Sequence, residues 1–112
     1  MNIDIQANGL NLTTGLRQHI RNRFFIAFQG TKQHLRKITV RLIDVNGPRG
    51  GQDKKCRVHL GVVGGQDVVI ENTDTQLHSA IEGATNRAQN TLARRIDKRR
   101  EKKAIKPSFT SI

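Results

Sequence analysis

The chain has no tryptophan, no tyrosine, one cysteine and two prolines among its 112 residues. Each shortage excludes something. The lone Cys56 cannot close an internal disulfide, which points to a reducing compartment. All four aromatic residues are phenylalanines, and none lies in a stretch with strand patterning, so a sheet that stacks unpaired bases on its rings is excluded. No apolar run approaches the roughly 18 residues of a membrane helix. The opening MNIDIQANGLNL carries neither the basic start nor the apolar stretch of a secretory signal. The expectation is a soluble, cytoplasmic protein with no membrane partner.

Acidic residues are scarce as well. Twenty Lys and Arg stand against nine Asp and Glu, for a net charge of +11. Residues 13–41 carry seven basic residues and no acid, and residues 85–106 carry nine against Asp97 and Glu101. The intervening residues 42–84 hold four basic and six acidic side chains. Positive charge therefore sits in two separate segments, a field that attracts polyanions and speeds their encounter. Neither segment has the strongly apolar face of a membrane-surface helix, so nucleic acid is the expected partner.

Asn2–Ala7 alternates, with Ile3, Ile5 and Ala7 on one side, which predicts a short half-buried strand. Thr13 or Thr14 can cap a following helix whose stripe is Leu16, Ile20, Phe24 and Ala27, ending at Phe28-Gln29-Gly30 with Gly30 as C-terminal cap. Lys37–Val45, Lys55–Val63 and Asp67–Asn72 read as three more strands, the last two joined through Gly64-Gly65. Asp74 then caps a long helix with Leu77, Ile81, Ala84, Ala88 and Leu92 on one face. One turn further the stripe centres on Arg95, so the core is expected to end near Leu92. RRIDKRREKK should project as a basic rod until Pro107 stops it, leaving SFTSI as a loose tail. The order β-α-β-β-β-α predicts an α+β fold, a four-stranded mixed sheet with both helices on one face. Residues 1–103 form the single domain, and 104–112 a flexible tail.

The loop DVNGPRGGQDKKC (44–56) concentrates the chain's conspicuous chemistry. A phosphate-binding Walker loop requires GxxxxGK[ST] leading into a helix, and here a strand follows. Asp44, Asn46 and Asp53 supply too few acidic ligands for a calcium loop, which also lacks its bidentate glutamate. Cys56 and His59 are three apart on a strand and so face opposite ways, while Cys56 shares its side with Val58 and Leu60 as a small core residue. His19, His34, His59 and His78 form no ligand-spaced pair in sequence. No catalytic constellation, metal, cofactor or small-molecule substrate is expected, and the chain does not read as an enzyme. What remains in the loop is turn chemistry plus Arg49, Lys54 and Lys55, cations that can approach a phosphate backbone.

No helix-turn-helix or zinc finger is visible. Binding must rest on Arg and Lys reaching phosphates, which reads the shape of structured RNA. On the second helix Arg87, Arg94 and Lys98 lie within about 40° of one another at 100° per residue. Arg21 of the first helix and Arg99 and Lys102 of the rod add to the candidate RNA contacts.

GLRQHIRNRF in the first helix and SAIEGATNRAQNTLARRIDK in the second, set in this element order, resemble the ribosome hibernation-promoting factor / ribosome-associated inhibitor family, long labelled sigma-54 modulation proteins. The resemblance covers roughly residues 1–103 and rests on LRQHI and the Ala80-Ile81-Glu82 step. It implies a short-form, divergent member that binds small-subunit rRNA in the channel of mRNA and tRNA and silences translation in stationary-phase or stressed cells. The carried-over contacts are Arg17, Arg23, Arg87, Arg94 and Lys98. A monomer is expected off the ribosome. His78 stands where the family's aromatic precedes A-I-[DE], and Asn90 stands at a usual basic position. The competing reading is a non-ribosomal module of the same fold that binds another RNA or an acidic protein.

Overall fold

The computed structural model describes the backbone of residues 2–44 and 54–110, with side chains as far as Arg99. Its elements are β1 (Asn2–Asn8), α1 (Thr14–Phe28), a 3-10 helix (Gln29–His34), β2 (Leu35–Asp44), β3 (Lys54–Val62), β4 (Val68–Asp74) and α2 (Leu77–Thr110). The sheet order is β1-β2-β3-β4, with β1 parallel to β2 and the other pairs antiparallel. The fold is α+β, in the expected order.

Strand alternation decides which way the sheet faces. Ile3 and Ile5 lie beside Ile38 and Val40, Val40 lies opposite Val58, and all are buried. Cys56, Leu60 and Val62 continue the covered face on β3. Thr39, Arg41, Arg57 and His59 occupy the uncovered one. Gly64, at φ 69°, makes the turn from β3 toward β4 in the left-handed region where a Cβ would be strained.

Thr13 caps α1 as expected, its Oγ1 accepting from the Leu16 amide at 3.1 Å. Ile20, Phe24 and Phe28, all fully buried, fill the core at four-residue spacing, and Ala27 stays half-buried. The expected glycine cap at Gly30 is not made. Gln29 is right-handed helical and the chain tightens into the 3-10 helix, with the Val63 amide donating to His34 O at 2.8 Å. Tightening to i→i+3 bonds is an alternative way to satisfy the last carbonyls of a helix.

Three expectations for α2 are corrected. Asp74 ends β4, and its carboxylate accepts from the Gln76 amide at 3.3 Å, one residue before the helix, instead of capping it. The core does not stop at Leu92: Ile96 is 7% exposed and belongs to the same apolar cluster. Ala84, Ala88, Leu92 and Ile96 form one four-residue row, and Arg95 leaves room by reaching sideways to the β3–β4 turn. Nor does Pro107 stop the helix, which runs to Thr110. Proline gives up one donor and crowds one carbonyl, yet its fixed φ is itself helical, so a helix can pass it at a cost. No helix among the described residues is long and apolar enough to cross a membrane.

Candidate nucleic-acid interface

The two helices place their arginines so that many reach back to the protein before they reach outward. Arg17 and Arg21, one turn apart, donate through Nη1 to Ile5 O and Ile3 O, both at 3.3 Å. Those carbonyls belong to the outer strand β1, so the pair covers a sheet edge that would otherwise offer itself for pairing. Arg87 does the same at the opposite edge, its Nη1 donating to Glu71 O of β4 at 2.8 Å. Arg23 bridges the helices. Its Nε donates to both carboxylate oxygens of Glu82, at 3.0 and 2.9 Å, and its Nη2 to Asn86 Oδ1 at 3.3 Å.

Further along α2, Arg95 Nη1 donates to Gln66 O and Asp67 O, and Arg99 donates to Val63 O and Gly64 O. These contacts close a groove of about 470 Å³ between distal α2 and the turn, floored by Val62, Leu92 and Ile96. The first part of the expected free rod is therefore tied to the β3–β4 turn. Arg94 and Lys98 differ: both are exposed, and neither makes a hydrogen bond or ion pair among the described residues. Lys54 pairs with Asp44 at 3.1 Å and Lys55 with Glu71 at 3.7 Å. Arg49 lies outside the described residues. Lys102 lies on α2, and its side chain is also outside them.

One or two bonds do not disqualify an arginine, which has five N–H donors in a fixed fork. Arg17, Arg21, Arg87 and Arg99 are exposed and keep donors for a phosphate. Arg23 is the poorest candidate, since Glu82 neutralises it and only 25% of its side chain is exposed.

The family profile of Sigma 54 modulation protein / S30EA ribosomal protein matches residues 3–102. The chain belongs to that family. The match takes in α1, α2 as far as residue 102, and every candidate contact residue. Two solved structures share the S30EA-type fold. The Protein Y N-terminal domain from Thermus thermophilus is 21% identical, with a TM-score of 0.68 over 84% of this chain and 98% of that one. A ribosomal subunit interface protein from Coxiella burnetii is 10% identical, with a TM-score of 0.70 over 87% of this chain and 99% of that one. No curated protein sequence matches the chain.

His78 and Asn90, expected from the sequence to depart from the family pattern, are both exposed on α2. His78 stacks loosely on His19 of α1, with ring centroids 5.7 Å apart. One ring nitrogen of each and one Glu82 oxygen all lie within 4.8 Å of one another. Sequence spacing gave no sign of this cluster, because 59 residues separate His19 from His78 and only the packing of α1 beside α2 joins them. Cys56 is fully buried, and burial pushes its thiol up to about 12, so it has no thiolate to offer as nucleophile or ligand.

A second basic surface was missed. Arg41 and Arg57 face each other across β2 and β3 on the uncovered side of the sheet, and Arg41 Nη2 donates to Gln6 Oε1 at 3.0 Å. Like charges directly opposite are unfavourable in a sheet. The period-two alternation that places both on that face was the signal for them.

Proposed function

We propose that this protein is a ribosome-associated translation silencer. It binds rRNA of the small ribosomal subunit in the channel of mRNA and tRNA, and it does so through basic residues of both helices. Membership of a ribosomal-protein family supports ribosome association. The relative from Coxiella burnetii, described as a ribosomal subunit interface protein, points the same way. The observation that carries the mode of binding is the pair Arg94 and Lys98, exposed on α2 with no protein partner among the described residues. Exposed cations on a helix, with no partner among the described residues, can pair with phosphates. Residues 1–103 act as one RNA-binding domain, monomeric off the ribosome and cytoplasmic, in non-growing or stressed cells.

The test is competition on purified small subunits. The protein should co-sediment with them at physiological salt and displace bound mRNA and initiator tRNA. It should also stop a cell-free translation reaction at near-stoichiometric amounts. Equal affinity for an unrelated structured RNA, with no displacement, would support a non-ribosomal RNA module instead.

A further inference from the structure

We propose that His19, His78 and Glu82 form a binding site for one divalent transition-metal cation of the zinc class, joining α1 to α2. The site is independent of the ribosome reading, because it rests on three side chains and the packing of two helices.

The ligand chemistry comes first. Two imidazoles and a carboxylate are donors that zinc accepts, and three protein ligands leave a fourth position for water or another oxygen. Imidazole nitrogen also favours zinc, copper and nickel over magnesium or calcium, which prefer all-oxygen sites.

The geometry comes second. His78 and Glu82 are four residues apart on α2, hence stacked on one helical face. His19 approaches from α1, and the three donor atoms lie within 4.8 Å of one another. In a tetrahedral zinc site with bonds of about 2.0–2.1 Å, ligand atoms sit about 3.4 Å apart. Closing to that spacing needs shifts of about 1 Å, which side-chain rotation supplies. Both rings are exposed and free to turn, whereas their backbones are fixed by Ile20, Ala80 and Ile81, all buried beside them. A cation here would have preset helices and adjustable ligands.

The third feature is Arg23. Its Nε occupies both Glu82 oxygens, and Asn86 steadies its Nη2. A bound cation takes one of those oxygens and repels the guanidinium, so zinc and Arg23 compete for the same carboxylate. This competition gives the site a signature that scattered surface histidines lack: removing Arg23 should tighten metal binding.

The experiment uses the full chain with any purification tag removed and metal stripped by chelator. Zinc chloride is titrated in competition with a chromogenic chelator, and cobalt chloride is followed by visible absorption. Expected are one zinc per chain and an intense tetrahedral-type cobalt spectrum. His19→Ala and His78→Ala should each weaken zinc by at least about ten-fold, a loss no smaller than removing a supporting residue around a metal site causes. His34→Ala should change nothing, and Arg23→Gln should bind more tightly than the parent. Circular dichroism checks that each variant is folded, which the exposure of both histidines favours. Failure to saturate at one zinc, or zinc affinity unchanged in His19→Ala, would overturn the site. An unchanged affinity in Arg23→Gln would overturn the role of Glu82, and with it the three-ligand site.

Discussion

Asn72 of β4 occupies the space that a side chain at Gly83 of α2 would need. Its Nδ2 donates to Ala80 O at 3.2 Å, and a Cβ on Gly83 would overlap the Asn72 amide group. Glycine in a helix interior costs about 1 kcal/mol relative to alanine, so the residue is tolerated here for closeness, not for flexibility.

The first prediction is a sign reversal. Gly83→Ala alone should fail to stabilise the protein, because Asn72 must swing out and lose its bond, worth about 1 kcal/mol. In an Asn72→Ala background the obstruction is gone, and the same change should stabilise by about 0.5–1 kcal/mol. Urea unfolding of the four proteins gives the coupling directly. Purely additive effects would refute the interlock.

The second concerns Cys56. Cys56→Ala removes a small buried group and should cost about 1–2 kcal/mol while leaving any RNA binding unchanged. The native thiol should resist alkylating reagents until the protein unfolds. Its folded pKa, about 12, lies above that of an unfolded thiol. Its stabilising share is therefore full below about pH 8.5 and declines as pH rises toward 12. Cys56→Ala should flatten that alkaline decline in Tm.

The third concerns Asp67, which receives bonds from His59 Nε2 at 2.9 Å, the Val62 amide at 3.0 Å and Arg36 Nη2 at 3.3 Å. The His59 bond, then the Val62 amide, then the charges of His59 and Arg36 hold its carboxyl below the usual carboxylate range. A depressed carboxylate contributes above its unfolded value, near pH 4, and loses that contribution as pH falls through the lower folded value. Asp67→Asn should lower Tm at neutral pH, and its difference from the parent should shrink below about pH 4. A difference that stayed constant from pH 7 to pH 2 would remove Asp67 from the acid limb.

Much of this architecture was legible in the sequence, and the misses have physical causes. Strand faces were readable because a period of two leaves no ambiguity once Ile38, Val40, Val58 and Leu60 are seen. Thr13 was readable because capping is local. Ile96 was missed because a helical stripe drifts, so its centre passed to Arg95 while a side chain on its flank stayed in reach of the core. The arginine contacts to strand carbonyls were invisible. Arg17, Arg21 and Arg87 each bond a backbone atom that any residue could supply. The His19–His78–Glu82 cluster was hidden for a related reason, since only tertiary packing brings α1 beside α2.

The fourth prediction separates fold from function on α2. Arg94 and Lys98 are exposed and without bonds among the described residues, so Arg94→Glu/Lys98→Glu should change stability by no more than about 0.5 kcal/mol. Under the proposed reading it should nevertheless abolish translation block, because each reversal replaces attraction of a phosphate by repulsion. Arg87→Glu added to the pair should weaken binding further but should also cost stability, since Arg87 covers Glu71 O at the β4 edge. Binding of the parent to small subunits should fall with salt at a log–log slope of roughly −4 to −5 if about six phosphates are neutralised. The double reversal should reduce that slope by about two. Should the double variant bind as tightly as the parent at physiological salt, the contact face would pass from α2 to α1 and the uncovered side of the sheet, where Arg41 and Arg57 stand opposite each other. A folded double variant with an unchanged slope would lead to the same conclusion even if its affinity fell, because the slope counts displaced counterions while affinity also registers distant repulsion.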